Sequence, residues 1–449
     1  MLDPKIRLTL ESVKRLSRRG AKTNLRNLIN KTHPADLAVL FRHVDDRLQQ
    51  EFFLLVMESQ GAGEFLSELD PIEYASQLEP MGKDRIADIL RDLQPDDVAL
   101  IIRHLEEELG QAVLSALQVD ESAEVEALLE YGEDTAGGIM TPSYLALEEN
   151  VTAKEAIEIL QNSGDIEMVF YLYAVDEHGH LVGALSLRHL VTHAPSTRLR
   201  DIMTSDVIRV ETSTDQEEVA RMVGRYDLLA IPVVDDTNKL VGIVTVDDVI
   251  DVLREETTED MLKIAGTDYQ EITNRSVLTS YKVRLPWLFA SLVGGVLAAY
   301  IMGFFKMALQ NVVVLSMFIP VILGMGGNLG TQSMSIAVRG IATGKIDVRR
   351  TWRFTFKELR VAMLLGITYG LLLAIVAHFY FSGGLNLGIV VGLGICFSMC
   401  LAAVIGSMVP LMLHRMGIDP AVATGPFVTT AIDILGITGY LLIARSLLL

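Results

Sequence analysis

The sequence predicts a multidomain membrane protein with an all-α superhelical N-terminal domain, an α+β tandem repeat, an acidic connecting helix and an all-α membrane domain of five helices. Three observations support this prediction: uneven charge, a repeat in the middle of the chain, and apolar runs long enough to cross a bilayer after residue 285. Residues 286–449 carry ten Lys or Arg and four Asp or Glu, a formal charge of +6, which leaves −25 for the first 285 residues of a chain whose total is −19. The predicted domains are the N-terminal domain at 1–131, the two repeat units at 132–200 and 201–255, the connecting helix at 256–284 and the membrane domain at 285–449.

The N-terminal region, residues 24–130, has helical periodicity and a loose repeat. The repeated segments are HPADLAVLF from His33, DPIEYASQL from Asp70 and QPDDVALII from Gln94. In each, Pro is placed for the first turn of a helix, with carboxylates beside it that suit the positive end of the helix dipole. A superhelix of short helix pairs is therefore predicted. Helix capping and solvation are one interpretation of Asp92, Asp96 and Asp97, and cation binding is the other.

The middle region, residues 139–255, repeats more closely. IMTPSYLALEENVTAKEAIEIL from Ile139 returns as IMTSDVIRVETSTDQEEVARMV from Ile202, and AVDEHGHLVGALSLRHLV returns as PVVDDTNKLVGIVTVDDVI. Each unit is predicted to form a short strand, an amphipathic helix, a two-stranded hairpin and a closing helix. The pair resembles tandem CBS motifs, regulatory modules of the cystathionine β-synthase type that often bind adenosine nucleotides or ions.

Four carboxylates share one face of the predicted connecting helix. Asp248, Asp251, Glu255 and Glu259 follow one another at spacings of three, four and four residues. Like charges at this spacing repel each other. Neutralisation by a divalent cation with a preference for oxygen ligands, such as Mg²⁺ or Ca²⁺, is one interpretation, and a solvated acidic surface is the other.

Five membrane spans are predicted from uncharged runs. The segment 339–360 is predicted to be a loop and carries seven Lys or Arg against two acids, so the positive-inside bias places it in the cytoplasm. The acidic region then lies inside the cell and the C-terminus outside. The runs are Pro286–Phe305, Asn311–Val338, two helices within Val361–Leu413 separated by a turn at 382–388, and Ala421–Ala444.

Polar groups within two of these spans predict an ion path. GMGGNLGTQS at 324–333 places four glycines and the amide or hydroxyl side chains of Asn328, Thr331 and Gln332 at membrane depth. Bent backbone and polar groups are tolerated there when they face a cavity; close helix packing through glycine is the alternative. Asp433 is the single charge in its span, and because a carboxylate near the bilayer centre costs about 2.5–3.5 kcal/mol, it indicates function.

Composition narrows the class of protein. A strongly acidic soluble region argues against nucleic acid and favours cations as partners. The N-terminal stretch MLDPKIRLTLESVKRL has no apolar run behind its charges, so no cleavable signal is predicted. Cys396 and Cys400 lie one helical turn apart and are interpreted as packing residues. No nucleophile and base set is recognisable, and the chain is predicted not to be an enzyme.

The order of these parts is similar to that of the MgtE family of magnesium channels. The resemblance covers the whole chain and rests on GGNLGTQS in the second span and GPFVTTAID in the fifth. It implies a homodimer in the plasma membrane, the inner membrane of a bacterium. The pore would lie on the two-fold axis between subunits and be lined by the second and fifth spans.

The resemblance also implies roles in the pore. Asp433 would meet its symmetry mate as the ion site, and Asp419 would flank the same path. Mg²⁺ dehydrates reluctantly and usually keeps several waters, so two carboxylates could hold it through those waters. Thr429, Thr430 and Asn328 would add neutral oxygens.

Regulation is the last implication of the resemblance. Cytosolic Mg²⁺ would bridge the N-terminal domain, the CBS pair and the connecting "plug" helix, and so favour the closed pore. ATP at the CBS pair would place Tyr171 against the adenine and Arg188 near phosphate, whereas packing and solvent contacts are the alternative for these two residues. The positions that match the family's Mg²⁺ sensor are Asp92, Asp96, Glu217, Asp227, Asp248, Asp251, Glu256 and Glu259.

Three other functions compete with Mg²⁺ transport. A carrier for Mn²⁺ or Co²⁺ would favour His, Cys or Met ligands, yet His378, Cys396 and Cys400 fall outside the two membrane motifs. A CBS-regulated anion channel would need rings of Arg or Lys, which these motifs lack. A membrane hydrolase is the third, and no catalytic set supports it.

Overall fold

The chain folds as a mostly helical protein with two small sheets and five long apolar helices, which confirms the predicted fold class. It divides into two compact units, Met1–Arg254 and Glu255–Leu449. The computed structural model describes residues 3–162, 170–268, 271, 276–306, 309, 312–380, 384–421 and 425–448.

Proline begins the helix in each of the three N-terminal repeat segments, as predicted. Pro34, Pro71 and Pro95 each occupy the first helical position, where the missing N–H would have had no intrahelical partner. The helices in this part are α1 (Pro4–Arg18), α2 (Lys22–Ile29), α3 (Pro34–His43), α4 (Asp46–Val56), α5 (Ala62–Ser67), α6 (Pro71–Leu78), α7 (Lys83–Leu90), α8 (Pro95–Arg103), α9 (Glu107–Leu114) and α10 (Val119–Leu129).

One apolar core runs through the N-terminal helices and the second CBS motif. Phe41, Phe53 and Phe65 form ring pairs with centroids 5.7–6.3 Å apart. Val219 and Val244 of the second motif belong to the same cluster of buried side chains. Because the two parts share this core, their facing surfaces are fixed relative to each other.

Each CBS motif forms the predicted strand, helix, hairpin and helix. In both three-stranded sheets the first strand pairs in parallel with the second, and the second pairs antiparallel with the third. The elements are β1 (Ala146–Glu148), α11 (Ala153–Asn162), β2 (Tyr171–Val175), β3 (Leu181–Ser186) and α12 (Leu187–Thr192), then α13 (Leu199–Ile202), β4 (Val210–Glu211), α14 (Gln216–Tyr226), β5 (Ala230–Val234) and β6 (Leu240–Thr245).

The closing helix of the second motif continues as the connecting helix. This helix, α15 (Val246–Ala265), is 20 residues long and contains all four carboxylates of the predicted acidic face. The predicted boundary between residues 255 and 256 falls inside it. The division between the two compact units, after Arg254, also falls inside it.

The second unit contains five helices long and apolar enough to cross a membrane. Tyr440, fully buried, donates a hydrogen bond of 3.0 Å to the backbone oxygen of Leu315, which ties the fifth of these helices to the second. They are α16 (Val277–Phe304), α17 (Val314–Ala342), α18 (Thr351–Tyr380), α19 (Gly384–Arg415) and α20 (Gly425–Leu448).

Three details of the predicted spans are wrong. Residues 324–333 lie inside one continuous helix, so the backbone is not bent out of the helix there. Each glycine weakens a helix by about 1 kcal/mol relative to alanine. In lipid this is outweighed because a helix satisfies the hydrogen bonds of its own backbone. The segment 339–360 is a loop only between α17 and Thr351. The predicted turn at 382–388 is helical from Gly384 onward, whereas 382, 383 and Asn311 lie outside the described residues.

Candidate metal-binding sites

Asp433 lies in the third turn of α20, on the same side of the helix as Thr429 and Thr430, four and three residues earlier. Its side chain is half-buried, and among the described residues it forms no hydrogen bond or ion pair. The Thr429 hydroxyl donates back to the carbonyls of Gly425, at 3.3 Å, and Pro426, at 3.2 Å. A carboxylate in an apolar helix without a neutralising neighbour is suited to a cation.

The glycines of the second span divide between two faces of α17. An ideal Cβ at Gly330 would lie 2.2 Å from Ile432 Cδ1 on α20, so this glycine allows the two helices to approach closely. Gly326 packs against the same isoleucine, whereas a Cβ at Gly324 or Gly327 would meet no atom within 4 Å. Close helix packing through glycine is therefore confirmed on one face, whereas an ion path along the other face stays a prediction.

Asn328 belongs to the open face of α17. It is exposed, and with Gly324, Gly327 and Thr331 it follows the i, i+3, i+4, i+7 spacing of one helical side. The helix that carries Asn328 packs directly against the helix that carries Asp433. Polar oxygen is thus available on an unpacked surface of the membrane unit.

Asp419 precedes α20 and is held by hydrogen bonds. Its carboxylate accepts from the backbone N–H of Ala421 and from Lys263 Nζ, each at 2.8 Å. Lys263 also forms an ion pair with Glu259 on its own helix, α15. An ammonium group therefore joins the connecting helix to the start of the fifth span.

Asp260 adds a further carboxylate to this group. Burial raises its pKa, and the charge of Asp419 acts in the same direction, while Lys263 and Arg339 offset part of the shift. Hydrogen bonds to Asp419 and Glu259 outweigh the effect of burial and raise the pKa of Lys263. The positive charge between the acids is therefore permanent at physiological pH.

In the first unit the structure brings Asp96 and Asp248 together. Burial raises the pKa of Asp96, although Thr141 donates a hydrogen bond to it, and its Oδ1 is buried without a hydrogen-bond partner in the described structure. Burial and the nearby charge of Asp96 raise the pKa of Asp248 to about 7, against a hydrogen bond from Thr245. The charge of Asp247 raises both values.

Asp96, Asp247 and Asp248 carry the kind of ligand atom that a hard divalent cation binds. Carboxylate and hydroxyl oxygens are the ligands that Mg²⁺ accepts, directly or through water. The unpaired Oδ1 of Asp96 needs a positive partner, because an unsatisfied buried oxygen is destabilising. A bound cation would also remove the repulsion that holds the pKa of Asp248 high.

The remaining sensor candidates are distributed over both units. Asp251 accepts a hydrogen bond of 3.0 Å from Arg254 on its own helix, and Asp227 ends α14 in the left-handed conformation, with φ of 53°. Threonine hydroxyls donate to Asp96 and to Asp248, whereas these other acids lie outside that pair. Asp92, Glu217, Asp227, Asp251 and Glu255 are exposed, whereas Glu256 and Glu259 are half-buried.

The two candidate nucleotide residues have different surroundings. Tyr171 on β2 is half-buried and packs in the apolar cluster where the two CBS motifs meet, beside Tyr173 and Val234. Arg188 is exposed in the first turn of α12. An exposed guanidinium suits a phosphate, whereas the tyrosine has a packing role.

Sequence reasoning missed three acids. Asp247 and Asp260 are adjacent in sequence to predicted ligands but off the acidic helical face, so the periodicity argument passed over them. Glu358 was counted within a loop; it is 5% exposed on α18 and accepts a hydrogen bond of 2.9 Å from Ser333 in the glycine-rich helix. Because basic residues surround Glu358 in the sequence, its burial was not predicted.

Comparison with known proteins identifies the family to which this architecture belongs. Residues 319–443 match the family model described as MgtE, divalent cation transporter, residues 32–134 match the MgtE intracellular N domain, and residues 136–196 and 199–255 match the CBS domain. The chain is 38% identical to the magnesium transporter MgtE of Thermus thermophilus over 438 residues, 96% of each chain. The chain belongs to the MgtE family. It is therefore a multi-pass membrane protein.

Two further relatives of the family support this assignment. The magnesium transporter MgtE of Bacillus subtilis is 35% identical over 434 residues, 96% of this chain and 95% of that one. A crystal structure of the cytosolic domain of the Mg²⁺ channel MgtE in complex with ATP is 40% identical, with a TM-score of 0.50, and covers 54% of this chain and 99% of that one.

Proposed function

We propose that this MgtE-family chain is a Mg²⁺-selective channel or transporter that takes up magnesium across the bacterial plasma membrane and is shut by cytosolic Mg²⁺. The observation that carries the proposal is Asp433, a half-buried carboxylate in an apolar helix with no neutralising neighbour in the described structure. Its place in a family whose relatives are named magnesium transporters supports Mg²⁺ as the cargo.

The pore site is proposed to form between two copies of the chain. One carboxylate is a poor site for a dication, and the open face of α17 with Asn328 leaves polar groups where a second subunit would pack. Across a two-fold axis, two Asp433 carboxylates would hold hydrated Mg²⁺ through its waters. Thr429 and Thr430 would contribute neutral oxygens, and Asp419 would flank the path.

Closure is proposed to follow occupation of the acidic surfaces. The pair Asp96 and Asp248, with Asp247, is unfavourable without a cation because burial and repulsion oppose its charge. Mg²⁺ that binds there favours the compact cytosolic arrangement by mass action. The other proposed sensor positions are Asp92, Glu217, Asp227, Asp251, Glu255, Glu256 and Glu259.

Orientation and nucleotide binding complete the proposal. The basic segment 339–360 would lie in the cytoplasm by the positive-inside bias, with the acidic N-terminal region inside and the C-terminus outside. ATP would bind the CBS pair with Arg188 at its phosphates and the ring of Tyr171 at its adenine. A change of Arg188→Gln that leaves ATP affinity of the full chain unchanged would remove this nucleotide assignment.

Uptake into liposomes tests the pore assignment. Purified full-length chain is reconstituted, and entry of Mg²⁺ is followed with a trapped indicator for wild type, Asp433→Asn and Asp347→Asn. Asp347 lies in the loop before α18 and caps a short turn, which Asn also caps, so the control removes a carboxylate without removing a cap. Undiminished uptake by Asp433→Asn would refute the pore site.

Mixed subunits test the dimer. In an equal mixture of wild-type and Asp433→Asn chains, a site that needs both carboxylates keeps about one quarter of the wild-type rate, whereas independent subunits keep about one half. Competition by Mn²⁺ and Co²⁺ in the same assay tests the metal. Uptake of Co²⁺ in preference to Mg²⁺ would favour the alternative carrier, although the pore candidates offer oxygen ligands alone.

A further inference from the structure

The hairpin turns of the two CBS motifs have the same backbone and different side chains. In the first, Asp176 Oδ1 accepts from the backbone N–H groups of His178, at 2.8 Å, and His180, at 2.9 Å. In the second, Asp235 Oδ1 accepts from Thr237 at 2.9 Å and Lys239 at 2.8 Å. The aspartate is therefore a structural part of both turns.

The left-handed position of each turn also matches. Gly179 has φ of 85° and Asn238, its counterpart, has φ of 65°; these two residue types adopt this conformation readily. The turn consequently does not require histidine on either side of this position. The backbone conformation that both turns share therefore does not explain the two histidines of the first turn.

The histidine rings lie together beside the second carboxylate oxygen of Asp176. The ring centroids of His178 and His180 are 5.9 Å apart with planes 23° from parallel. Asp176 Oδ2 is 2.8 Å from His180 Nδ1. One potential ligand atom of each of the three side chains lies within 4.8 Å of the other two.

The three side chains are open to solvent on one side. About a third of the Asp176 and His180 side chains is exposed, and two thirds of His178. Bonds of about 2.0–2.2 Å bring tetrahedral ligand atoms to about 3.3 Å from each other. Rotation of the exposed His178 ring supplies that approach, since the fixed turn already positions the other two groups.

We propose that Asp176, His178 and His180 bind a borderline divalent transition metal, such as Zn²⁺, Ni²⁺ or Co²⁺, with water completing its coordination. Two imidazoles beside one carboxylate suit such metals, whereas Mg²⁺ prefers oxygen ligands alone. The site is separate in chemistry from the oxygen-only acidic sites and does not depend on the proposed transport function.

A metal here would sit where the two CBS motifs are joined. Leu181 N–H donates to the carbonyl of Asn238 at 3.0 Å, and Leu240 N–H donates to the carbonyl of Gly179 at 3.2 Å. The tips of both hairpins thus lie side by side in one unit. Binding at the first tip therefore also constrains the residues that hold the second.

The second motif supplies the matched variant for the test. His178→Thr with His180→Lys gives the first turn the side chains that the second turn already carries, so the backbone is expected to be unchanged. A second variant, His189→Gln with His193→Gln, removes the other close histidine pair of this motif, whose rings are 6.0 Å apart on and just after α12. Asp176→Asn keeps an acceptor for the turn and removes the charge.

The experiment titrates full-length, metal-free chain in detergent with Co²⁺ in saturating Mg²⁺, which occupies the carboxylate sites. Visible absorption of bound Co²⁺ and its displacement by Zn²⁺ are recorded. Wild type and the His189/His193 variant are expected to bind Co²⁺ with the same affinity, whereas the His178/His180 double variant loses this absorption and Asp176→Asn weakens binding about tenfold.

Two results would overturn the proposal. The first is equal Co²⁺ absorption and affinity in wild type and the His178/His180 variant, measured on protein whose thermal unfolding is unchanged. The second is loss of the signal in the His189/His193 variant, which would assign the metal to α12 instead.

Discussion

The carboxylates of the two units differ in their neighbours. Within the described parts of the chain Asp433 has no charged neighbour on its apolar helix, whereas Asp96, Asp247 and Asp248 interact, so that burial and repulsion raise the pKa of Asp248 to about 7. A crowded group stores unfavourable energy that a cation or a proton releases, and so it can act as a switch. A lone carboxylate has no like charge beside it, so a cation that binds it relieves no repulsion of this kind.

Replacing each carboxylate by its amide tests this difference most strongly. Asp433→Asn should lower Mg²⁺ uptake by about a hundredfold or more, because one charge contact near a protein surface is worth several kcal/mol. Asp248→Asn should keep wild-type uptake into magnesium-free liposomes and lose its suppression by Mg²⁺ on the sensor side. Uptake should be measured at low and high Mg²⁺ on that side.

The opposite pattern would reverse the assignment. If Asp248→Asn abolished uptake at low sensor-side Mg²⁺ while Asp433→Asn only weakened suppression, the crowded group would belong to the ion path. Asp347→Asn, an exposed acid of the membrane unit, controls for the loss of one carboxylate.

The packing beneath Asp433 gives a second, smaller prediction. Gly330→Ala places a methyl group against Ile432 and should destabilise the membrane unit by about 1–3 kcal/mol, the usual cost of overpacking. Gly327→Ala meets open space and should not destabilise it, because alanine favours helix over glycine. Thermal unfolding in detergent distinguishes them, and equal loss in both variants would contradict the two-faced description of α17.

Acidity gives the third prediction, which concerns the crowded group. Between its ordinary value near 3.8 and about 7, folded Asp248 keeps a proton that the unfolded chain has lost, so the stability of the first unit should fall as pH rises through this range. Mg²⁺ competes with that proton, and its affinity should rise up to about tenfold per pH unit until pH 7 and then level off.

Calorimetric Mg²⁺ titration of the full chain at several pH values checks this dependence. Asp248→Asn should flatten it, whereas Asp251→Asn, an exposed acid paired with Arg254 on the same helix, should retain it. An affinity that is already level below pH 6 in wild type would exclude Asp248 as the titrating group.

Many elements of this fold are determined by local sequence signals and could therefore be predicted from the sequence. Pro34, Pro71 and Pro95 begin helices because a missing N–H costs nothing at the first position. The hairpins of the CBS motifs follow from alternation and turn residues, and the spans from their length and lack of charge. Each of these signals lies within about 20 residues of the chain.

Features that depend on residues distant in the sequence could not be predicted. Periodicity placed Asp248 on a face with Asp251 and Glu255, yet its pKa is raised first by burial and then by the charge of Asp96, more than 150 positions away in the chain. Glu358 was hidden for the same reason, because its burial against Ser333 requires two helices to pack. Asp247 and Asp260 show that a helical face alone does not define an ion site formed between elements.

The smallest prediction concerns the ammonium group of Lys263. It already neutralises Asp419 and Glu259, at 2.8 Å from the former, and so competes with any cation for these two carboxylates. Lys263→Gln should therefore raise the affinity of the closing Mg²⁺ by about two- to fivefold, since partly exposed ion pairs are worth up to about 1 kcal/mol. Uptake suppression at graded Mg²⁺ measures this shift, with Lys282→Gln, an exposed cation of α16, as control. A shift toward weaker suppression would mean instead that the lysine itself holds the pore closed, and that Mg²⁺ acts elsewhere on α15.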